Sequence, residues 1–275
     1  MERFFLYTPH MKKRVVIEKE IGETPLMSLQ KWKRANPAYA NMPASYAGRL
    51  DPMASGKLLV LLGEECKKQK AYTNLDKEYE IEVLLDIGSD TGDALGLVEY
   101  SRKETSPERE ALRAVLCTEL GAHMRAYPQF SSKTVNGKPL FLHTLEGGIK
   151  FINIPEHEEH IYDIKMRQVV SISSAELASR IADFLAKVPI SDEPSKLLGA
   201  DFRVNEVRAS WEKLFAKAGQ RTFTILLLRV ACGSGTYMRS LSGRIGESLG
   251  TRALTLSICR TRIGKYWKGW WLKSL

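Results

Sequence analysis

The stretch GRLDPMASG, at positions 48–56, carries a single carboxylate, that of Asp51, between two apolar stretches. The apolar residues that follow it, 58–62, have the length of a buried strand. Pro52 fixes its own backbone angle and favours an extended conformation at Asp51. Gly48 and Gly56 allow a ligand or another backbone to come close. The stretch therefore predicts a rigidly presented acid, and a turn aspartate without a chemical role is the alternative.

The sequence around this stretch predicts helices and strands in mixed order. Apolar and charged residues alternate from Lys77 onward, as in a half-buried antiparallel strand. Because strands and helices do not alternate regularly, the pattern predicts an α+β fold and not a doubly wound sheet. The other predicted elements are strands at 15–17 and 222–230, and helices that begin at Thr24-Pro25, at 106–108 (ending at Gly121) and at Thr236 (ending at Gly250).

Residues 173–219 predict two amphipathic helices. Ser173 and Glu176 have the spacing of a capping box ahead of the first helix. Val207, Trp211 and Leu214 recur at helical spacing in the second. We interpret both helices as structural elements.

Composition favours a polyanionic partner. Lys and Arg number 41 against 32 Asp and Glu, which gives a formal charge of +9. No apolar run reaches the roughly 18 to 20 residues of a membrane span. Phe4 and Phe5 precede the first lysines, the reverse of a secretion signal, so we expect a cytoplasmic protein. The four cysteines lack CxxC spacing, which argues against a disulfide framework or a zinc site.

A second candidate cluster is GSGTYMR at 233–239, a glycine-rich turn that leads into a helix. Arg239 falls on the helix face with Ser242 and Gly246, away from the apolar stripe. A guanidinium beside small residues can bind a carboxylate or phosphate through two hydrogen bonds. A surface arginine in contact with solvent is the alternative. The spacing of a nucleotide-binding P-loop is not present.

Basic residues alternate with aromatic residues in three runs, at 31–34, 67–72 and 260–268. Such runs allow phosphate contacts and base stacking, and a solvated charged face is the alternative. His157 and His160 lie among glutamates without HExxH spacing, so we predict an exposed loop there and not a metal site.

Five segments, in order, resemble the TruB family of tRNA pseudouridine synthases. GRLDPMASGKLLVLLGEECKK at 48–68 is similar to the family's G-x-L-D-P-x-A stretch and its leucine-rich continuation. KEYEIEVLLDIGSDTGDALG at 77–96 resembles its K-x-Y strand and T-D-T-x-D turn. The remaining segments are YPQFSSKTVNGKPLF at 127–141, CGSGTYMRSL at 232–241 and ICRTRIGKY at 258–266.

The resemblance implies a pseudouridine synthase fold with a central mixed, mostly antiparallel sheet and an RNA-binding cleft across it. It implies that Asp51 is the nucleophile, that Tyr79 packs on the target base and that Arg239 pairs with Asp51. Ile258 then occupies the place of an active-site leucine. The full set of substrate-binding residues that we expect is Tyr46, Gly48, Arg49, Leu50, Lys133, Lys138, Tyr237, Ile258 and Arg260.

The expected activity is isomerisation of the T-loop uridine, position 55 of tRNA, without a cofactor or metal. The partner is then the T arm of tRNA, with no obligate protein partner and a monomer as the simplest state. We predict one catalytic domain at 12–275, an RNA-gripping flap at 125–153, a helical insertion at about 173–219 and no C-terminal PUA domain. Tyr46, Thr134 and Cys259 depart from the family pattern, which has histidine, lysine and arginine there.

Two other functions compete with this one. A tRNA-binding chaperone would use the basic surface but would not need Asp51. A guide-RNA-dependent synthase that acts on ribosomal RNA would share the fold. An inactive homologue is disfavoured, because Asp51, Tyr79 and Arg239 are all present.

Overall fold

A computed structural model describes residues 12–101, 103–189 and 203–275. The N-terminal residues used above to argue against a secretion signal, and residues 190–202 of the predicted insertion, lie outside the described residues. Helices flank a large sheet, so the predicted α+β class is confirmed. In the part of the chain that the structure describes, no helix is long and apolar enough to cross a membrane.

Nine of the described strands form the central sheet, in the order β1-β3-β12-β4-β11-β10-β7, with β2 paired to β3 and β13 to β12. Among these described strands only β3 and β12 run parallel, and the other pairs are antiparallel. The mostly antiparallel sheet that the resemblance implied is therefore confirmed. The strands are β1 (Arg14–Lys19), β2 (Ala44–Ala47), β3 (Ala54–Leu62), β4 (Asp76–Leu85), β5 (Ile87–Ser89), β6 (Val98–Tyr100), β7 (Gly121–Ala126), β8 (Thr134–Val135), β9 (Lys138–Pro139), β10 (Glu156–Ser173), β11 (Thr222–Cys232), β12 (Ala253–Trp267) and β13 (Trp270–Ser274).

Seven α-helices are described, and local sequence signals explain their ends. The Thr24 hydroxyl accepts a hydrogen bond from the Met27 amide at the start of the first helix. Ser173 and Glu176 form the predicted capping box. The helices are α1 (Pro25–Ala35), α2 (Gln69–Thr73), α3 (Arg109–Thr118), α4 (Leu140–Leu145), α5 (Ser174–Ala186), α6 (Val204–Ala218) and α7 (Met238–Ser248).

The two helices α5 and α6 pack on the main core, as expected for structural elements. Leu177 and Val207 are fully buried, and the Trp211 indole donates a hydrogen bond of 3.1 Å to the Ala94 carbonyl. Burial of an aromatic ring whose N–H has a partner fixes the position of a helix. The helices therefore support the segment around Ala94, which leads to the candidate site.

Three local predictions need correction. Strand β4 is central and not half-buried: Asp76, Lys77 and Glu78 are buried in it because β12 and β11 cover both of its edges. The helix predicted to run to Gly121 ends at Thr118. Residues around His157 lie in strand β10, paired with β7, and not in a loop.

The segment 127–153 is partly regular. It holds the short hairpin of β8 and β9, helix α4 and a 3-10 turn at Ile149–Phe151. Leu140 is the buried hydrophobic anchor of this segment. Its sequence shows no single hydrophobic period because the segment consists of short elements of different kinds.

Candidate active site

Asp51 lies in the loop between β2 and β3, and buried cations hold this loop from two sides. On the first side, Lys19 Nζ donates to the carbonyl oxygens of Ala54 at 2.5 Å and Pro52 at 3.4 Å. The Gly22 amide also donates to the Pro52 carbonyl, at 2.9 Å. Burial lowers the pKa of Lys19 to about 8, against the opposing effect of nearby carboxylates such as Glu23 and Asp51. The backbone around Asp51 is thus fixed by hydrogen bonds to its carbonyls.

Arg260 holds the other side of the loop. Its guanidinium donates to the carbonyl oxygens of Lys57 at 2.7 Å, Gly48 at 3.1 Å and Arg49 at 3.3 Å. Gly48 has a φ of 79°, a conformation that favours glycine. Arg260 is fully buried, so it is an internal clamp of the loop and not part of a solvated basic run.

The structure brings Asp51 and Arg239 into direct contact, although 187 residues separate them in the sequence. Arg239 Nε donates to Asp51 Oδ2 at 2.8 Å. The Arg239 side chain is only 5% exposed, whereas that of Asp51 is 43% exposed. The alternative of a solvent-exposed arginine is therefore wrong. Burial opposes the charge on Arg239, but Asp51 and Asp93 outweigh it, and the pKa of the guanidinium is raised.

The remaining donors of Arg239 join two further segments to the site. Nη1 donates to the Thr91 carbonyl at 2.7 Å, and Nη2 donates to the Phe130 carbonyl at 3.0 Å. One guanidinium therefore connects the Asp51 loop, the turn after β5 and the segment 127–153. A buried arginine with a hydrogen bond from each of its three nitrogens is a rigid partner for a carboxylate.

A second carboxylate, Asp93, lies behind this pair. Its Oδ2 is 3.5 Å from Arg239 Nε, and its Oδ1 accepts from the Leu95 amide at 2.9 Å and the Thr91 hydroxyl at 2.8 Å. Burial raises the pKa of Asp93 to about 6, although Arg239 opposes the shift. The local field at Arg239 thus depends on the protonation of a buried acid.

Two cavities border the Asp51–Arg239 pair. The larger, of about 430 Å³, is also lined by Tyr46 and by apolar side chains such as Leu26 and Phe141. The smaller, of about 250 Å³, contains Tyr79, Ile258 and Tyr237 in its wall. Asp51 is thus open to both spaces.

Most of the predicted site residues meet in these walls. Burial raises the pKa of Tyr79, and raises that of Tyr237 to about 12, so both phenols stay neutral near pH 7. Ile258 lies on β12 directly opposite Ile81 of the neighbouring strand. Residues Gly48, Arg49, Leu50, Tyr79, Tyr237, Ile258 and Arg260 line the smaller cavity, and Tyr46, Arg49 and Leu50 line the larger one.

The two predicted flap lysines lie outside both cavity walls. Lys133 Nζ lies 5.0 Å from the centre of the Tyr127 ring, and Lys138 forms an ion pair with Glu146. Tyr127 in turn stacks on His157 at 3.9 Å, and His157 Nε2 is 3.0 Å from the Gly235 carbonyl oxygen. These contacts join the base of the segment 127–153 to the glycine-rich turn before α7.

Several residues of the site were not predicted from the sequence. Lys19, Lys77 and Asp93 are buried ionisable groups in or behind its wall. Phe130 lines the larger cavity, and its backbone carbonyl accepts a hydrogen bond from Arg239. Asp93 belongs to the quoted turn at 77–96, and a carboxylate between turn residues was a usable signal. The others had no local signal, because their roles depend on contacts across distant segments.

A solved structure has the same fold as this chain. The fold matches that of a chain in a crystal structure of a Cbf5–Nop10–Gar1 complex with a TM-score of 0.52 at 18% sequence identity. The match covers 91% of this chain and 48% of that chain. This chain therefore shares the fold of that protein.

The family follows from the sequence profile. The profile described as TruB family pseudouridylate synthase, N-terminal domain, matches residues 38–182, more than half of the chain. The chain therefore belongs to the TruB family of pseudouridylate synthases.

Named relatives are similar over most of the chain. A tRNA pseudouridine synthase B of Deinococcus radiodurans is 29% identical over 85% of this chain and 68% of its own length. A tRNA pseudouridine synthase B of Burkholderia mallei is 27% identical over 93% of this chain and 65% of its own length. The chain thus spans about two thirds of the length of these relatives.

Proposed function

We propose that this chain is a tRNA pseudouridine synthase that isomerises the T-loop uridine, position 55, with Asp51 as the nucleophile. The observation that carries the proposal is the half-exposed Asp51 carboxylate, held by buried Arg239 at a small cavity. Such a carboxylate is fixed in direction and still accessible to a substrate. The names of the Deinococcus and Burkholderia relatives support tRNA as the substrate.

The proposed isomerisation exchanges one bond of the ribose C1′ for another. The bond from the ribose C1′ to uracil N1 breaks, the uracil turns, a bond from C1′ to C5 forms, and the proton on C5 is lost while N1 gains one. Atoms and electrons balance, so no external oxidant or reductant takes part. Asp51 attacks either the sugar carbon or the base, and in both routes it must be ionised. The contact with Arg239 holds the carboxylate in one orientation.

The smaller cavity suits one nucleobase. Its volume of about 250 Å³ lies below that of typical pockets for drug-sized ligands, which start at about 300 Å³. Tyr79 offers an aromatic surface and Ile258 an apolar one. Extracting a base from its stack costs a few kcal/mol, and stacking on an aromatic ring returns roughly 1 to 3 kcal/mol. Tyr79 thus has the chemistry to offset part of that cost.

The segment 125–153 serves in this proposal as the RNA-gripping flap of a single catalytic domain. Its support is the hydrogen bond from Arg239 to the Phe130 carbonyl, which ties the flap to the nucleophile. Lys133 and Lys138 are the proposed phosphate contacts; Lys138 would exchange its ion pair with Glu146 for a phosphate. A cytoplasmic location and an unaided monomer acting on the T arm belong to the same proposal.

The test maps pseudouridine in an unmodified tRNA transcript by carbodiimide treatment and primer extension. We expect wild-type protein to modify position 55 without added guide RNA, and Asp51→Asn to bind the transcript without modifying it. Asp183→Asn, at an exposed position of α5, is a matched control that should still modify the same position.

Each rival has its own outcome in this experiment. Modification that requires a guide RNA would replace the proposal with the guide-dependent synthase. Binding that speeds tRNA folding in both wild type and Asp51→Asn, without modification in either, would replace it with the chaperone.

A further inference from the structure

The smaller cavity contains a buried cation that the proposed chemistry does not use. Lys77, only 4% exposed, lies in its wall two residues before Tyr79 on β4. Because successive side chains of a strand point to opposite faces, Lys77 and Tyr79 share a face and lie about 7 Å apart along the strand. The lysine is therefore the neighbour of the aromatic ring on which the target base is proposed to stack.

A second buried cation, Arg260, adjoins Lys77 at Gly48. A Cβ placed on Gly48 would lie 3.8 Å from Lys77 Nζ and 3.5 Å from Arg260 Nη1. Lys77 Nζ donates to the Thr73 carbonyl at 2.5 Å, and Arg260 donates to the three carbonyls described above. In the part of the chain that the structure describes, no carboxylate forms an ion pair with either group. Two like charges therefore lie close together with only neutral acceptors.

The neighbours of Lys77 do not supply the missing negative charge. Cys232 lies directly opposite it on β11, and burial raises the pKa of this thiol to about 12, so the thiol is neutral near pH 7. Asp76 and Glu78 belong to the opposite face of β4. There Asp76 accepts a hydrogen bond of 3.0 Å from the Tyr162 hydroxyl. Among the described residues, Lys77 thus has no anionic partner within ion-pair distance.

The burial of this charge has a cost that a bound anion would remove. Burial, with the nearby charge of Arg260 as the second cause, lowers the pKa of Lys77 to about 8, so the ammonium group is still mostly protonated near pH 7. A buried charge that lacks a partner is unfavourable. At the wall of a cavity, such a group marks a place where a ligand supplies the opposite charge.

The glycine-rich turn before α7 meets Lys77 at the same acceptor. Ser234 and Gly235 line the smaller cavity, and Ser234 Oγ donates to the Thr73 carbonyl at 2.8 Å. The backbone amides of Ser234 and Gly235 donate to no acceptor among the residues that the structure describes. Gly235 has a φ of 97°. Successive amides in such a turn form a concave site that binds anions.

We propose that Lys77, together with the turn at Ser234 and Gly235, binds a backbone phosphate of the nucleotide whose base lies against Tyr79. The inference deepens the proposed function and rests on it for the identity of the RNA. A nucleotide carries its phosphates one sugar away from its base, which suits a cation one step along the strand from the aromatic ring. A phosphate fits better than a uracil carbonyl, because the phosphate carries the negative charge that this part of the wall lacks.

The test measures binding of T-arm stem-loop RNAs by wild-type protein and by Lys77→Met. In two of the RNAs one phosphate, on the 5′ or the 3′ side of the uridine at position 55, is replaced by a neutral methylphosphonate. For wild type we expect one of these replacements to lower the affinity by about ten-fold, the lower limit for a hydrogen bond to a charged group. Lys77→Met should bind the unmodified RNA more weakly by a similar factor and should lose nothing more with the same methylphosphonate, because the two changes remove one contact.

Three further measurements separate this contact from other roles of Lys77. The slope of log affinity against log salt should become shallower by about 0.7 in Lys77→Met, as expected for one phosphate contact on single-stranded RNA. Lys213→Met removes an exposed lysine from α6 and should keep the full methylphosphonate penalty. Urea denaturation should show that Lys77→Met is at least as stable as wild type, because the variant buries no charge and the Thr73 carbonyl keeps Ser234 as a donor.

Equal methylphosphonate penalties in wild type and Lys77→Met would overturn the inference, and so would a wild type that loses affinity with neither replacement. A Lys77→Met protein that unfolds in less urea and still shows the full penalty would make Lys77 a purely structural residue. The proposed function fails separately. If wild type forms no pseudouridine but shows a methylphosphonate penalty that Lys77→Met abolishes, the phosphate contact stands and the proposed function is rejected.

Discussion

At the scale of single residues, Arg239 connects several parts of the site through its hydrogen bonds. Its three donor directions reach Asp51, the Thr91 carbonyl and the Phe130 carbonyl. The guanidinium thereby sets the direction of the Asp51 carboxylate and the positions of two neighbouring segments. The ammonium group of a lysine lacks the planar fork of donors with which the guanidinium makes these three contacts.

We expect Arg239→Lys to lower kcat for pseudouridine formation by about 100-fold, because a nucleophile displaced by about 1 Å loses about that factor. Unfolding should become easier by roughly 1 to 3 kcal/mol, since buried carbonyls lose their donors. Single-turnover kinetics and urea denaturation measure the two effects. Arg252→Lys, at an exposed ion pair with Glu99, is the matched control and should alter neither. Wild-type kcat in Arg239→Lys would show that Asp51 needs no such partner.

Asp93 predicts a pH dependence of stability. Burial raises the pKa of Asp93 from 3.8 to about 6. Between these values the folded protein holds more protons at this carboxyl than the unfolded chain, so its contribution to the free energy of unfolding falls as the pH rises through this window and stays low above it. Asparagine resembles the protonated form and does not titrate.

We therefore expect the difference in the free energy of unfolding, Asp93→Asn minus wild type, to increase as the pH rises from about 4 to about 7. At 1.36 kcal/mol per pKa unit, the increase is about 3 kcal/mol. Urea denaturation of both proteins across this range measures the difference. A difference that is constant with pH would contradict a raised pKa at Asp93.

At the scale of elements, the Asp51 loop depends on close approach of β3 and β12. Gly56 has a φ of 99°, and a Cβ on it would lie 2.4 Å from the Arg260 carbonyl oxygen and 2.8 Å from the Arg260 nitrogen. Both atoms belong to the backbone and cannot move aside independently. The parallel pairing of β3 with β12 thus requires the glycine, and Arg260, which holds the loop, lies directly opposite it.

Gly56→Ala should lower the free energy of unfolding by about 3 kcal/mol or more, because strain at a positive φ adds to a backbone clash. Gly147→Ala is the control: Gly147 has a φ of 74° but nothing within 4 Å of its Cβ position, so only the cost of the φ, about 1 to 2 kcal/mol, applies. Denaturant titration of the two variants separates clash from strain. An equal loss of unfolding free energy in Gly56→Ala and Gly147→Ala would mean that β3 and β12 can move apart without an energetic cost.

Elements with complete local signals were predictable from the sequence. Thr24 with Pro25 and Ser173 with Glu176 define helix starts within a few residues, and the structure has those helices. The end of α3 and the strand at His157 were not predictable in the same way. Polar residues in strand β10 pair with β7, and only that distant partner decides between strand and loop.

At the scale of the whole molecule, the sheet order explains why the site could be predicted only in part. Asp51, Tyr79 and Arg239 come from three separated segments that the sheet brings together. The segments that resemble the family, in the family's order, predicted all three residues. Lys19 has no such signal, and Asp93 lies in the motif at 77–96 without being singled out by it, because the roles of both depend on carbonyls and charges from other elements. Tertiary contacts, and not local pattern, make a buried charge part of a site.

The net charge of the whole molecule bears on the proposed function. The charge of +9 favours association with a polyanionic RNA, and this association should weaken as salt rises.

The most direct test of the central claim, that Asp51 isomerises uridine, is release of tritium from tRNA labelled at C5 of its uridines. The new bond from C1′ to C5 expels that hydrogen, so each isomerised uridine yields one tritium in the solvent. We predict one tritium per tRNA for wild type, and none above background for Asp51→Asn with tRNA binding intact. Release by Asp51→Asn at the wild-type rate would contradict it.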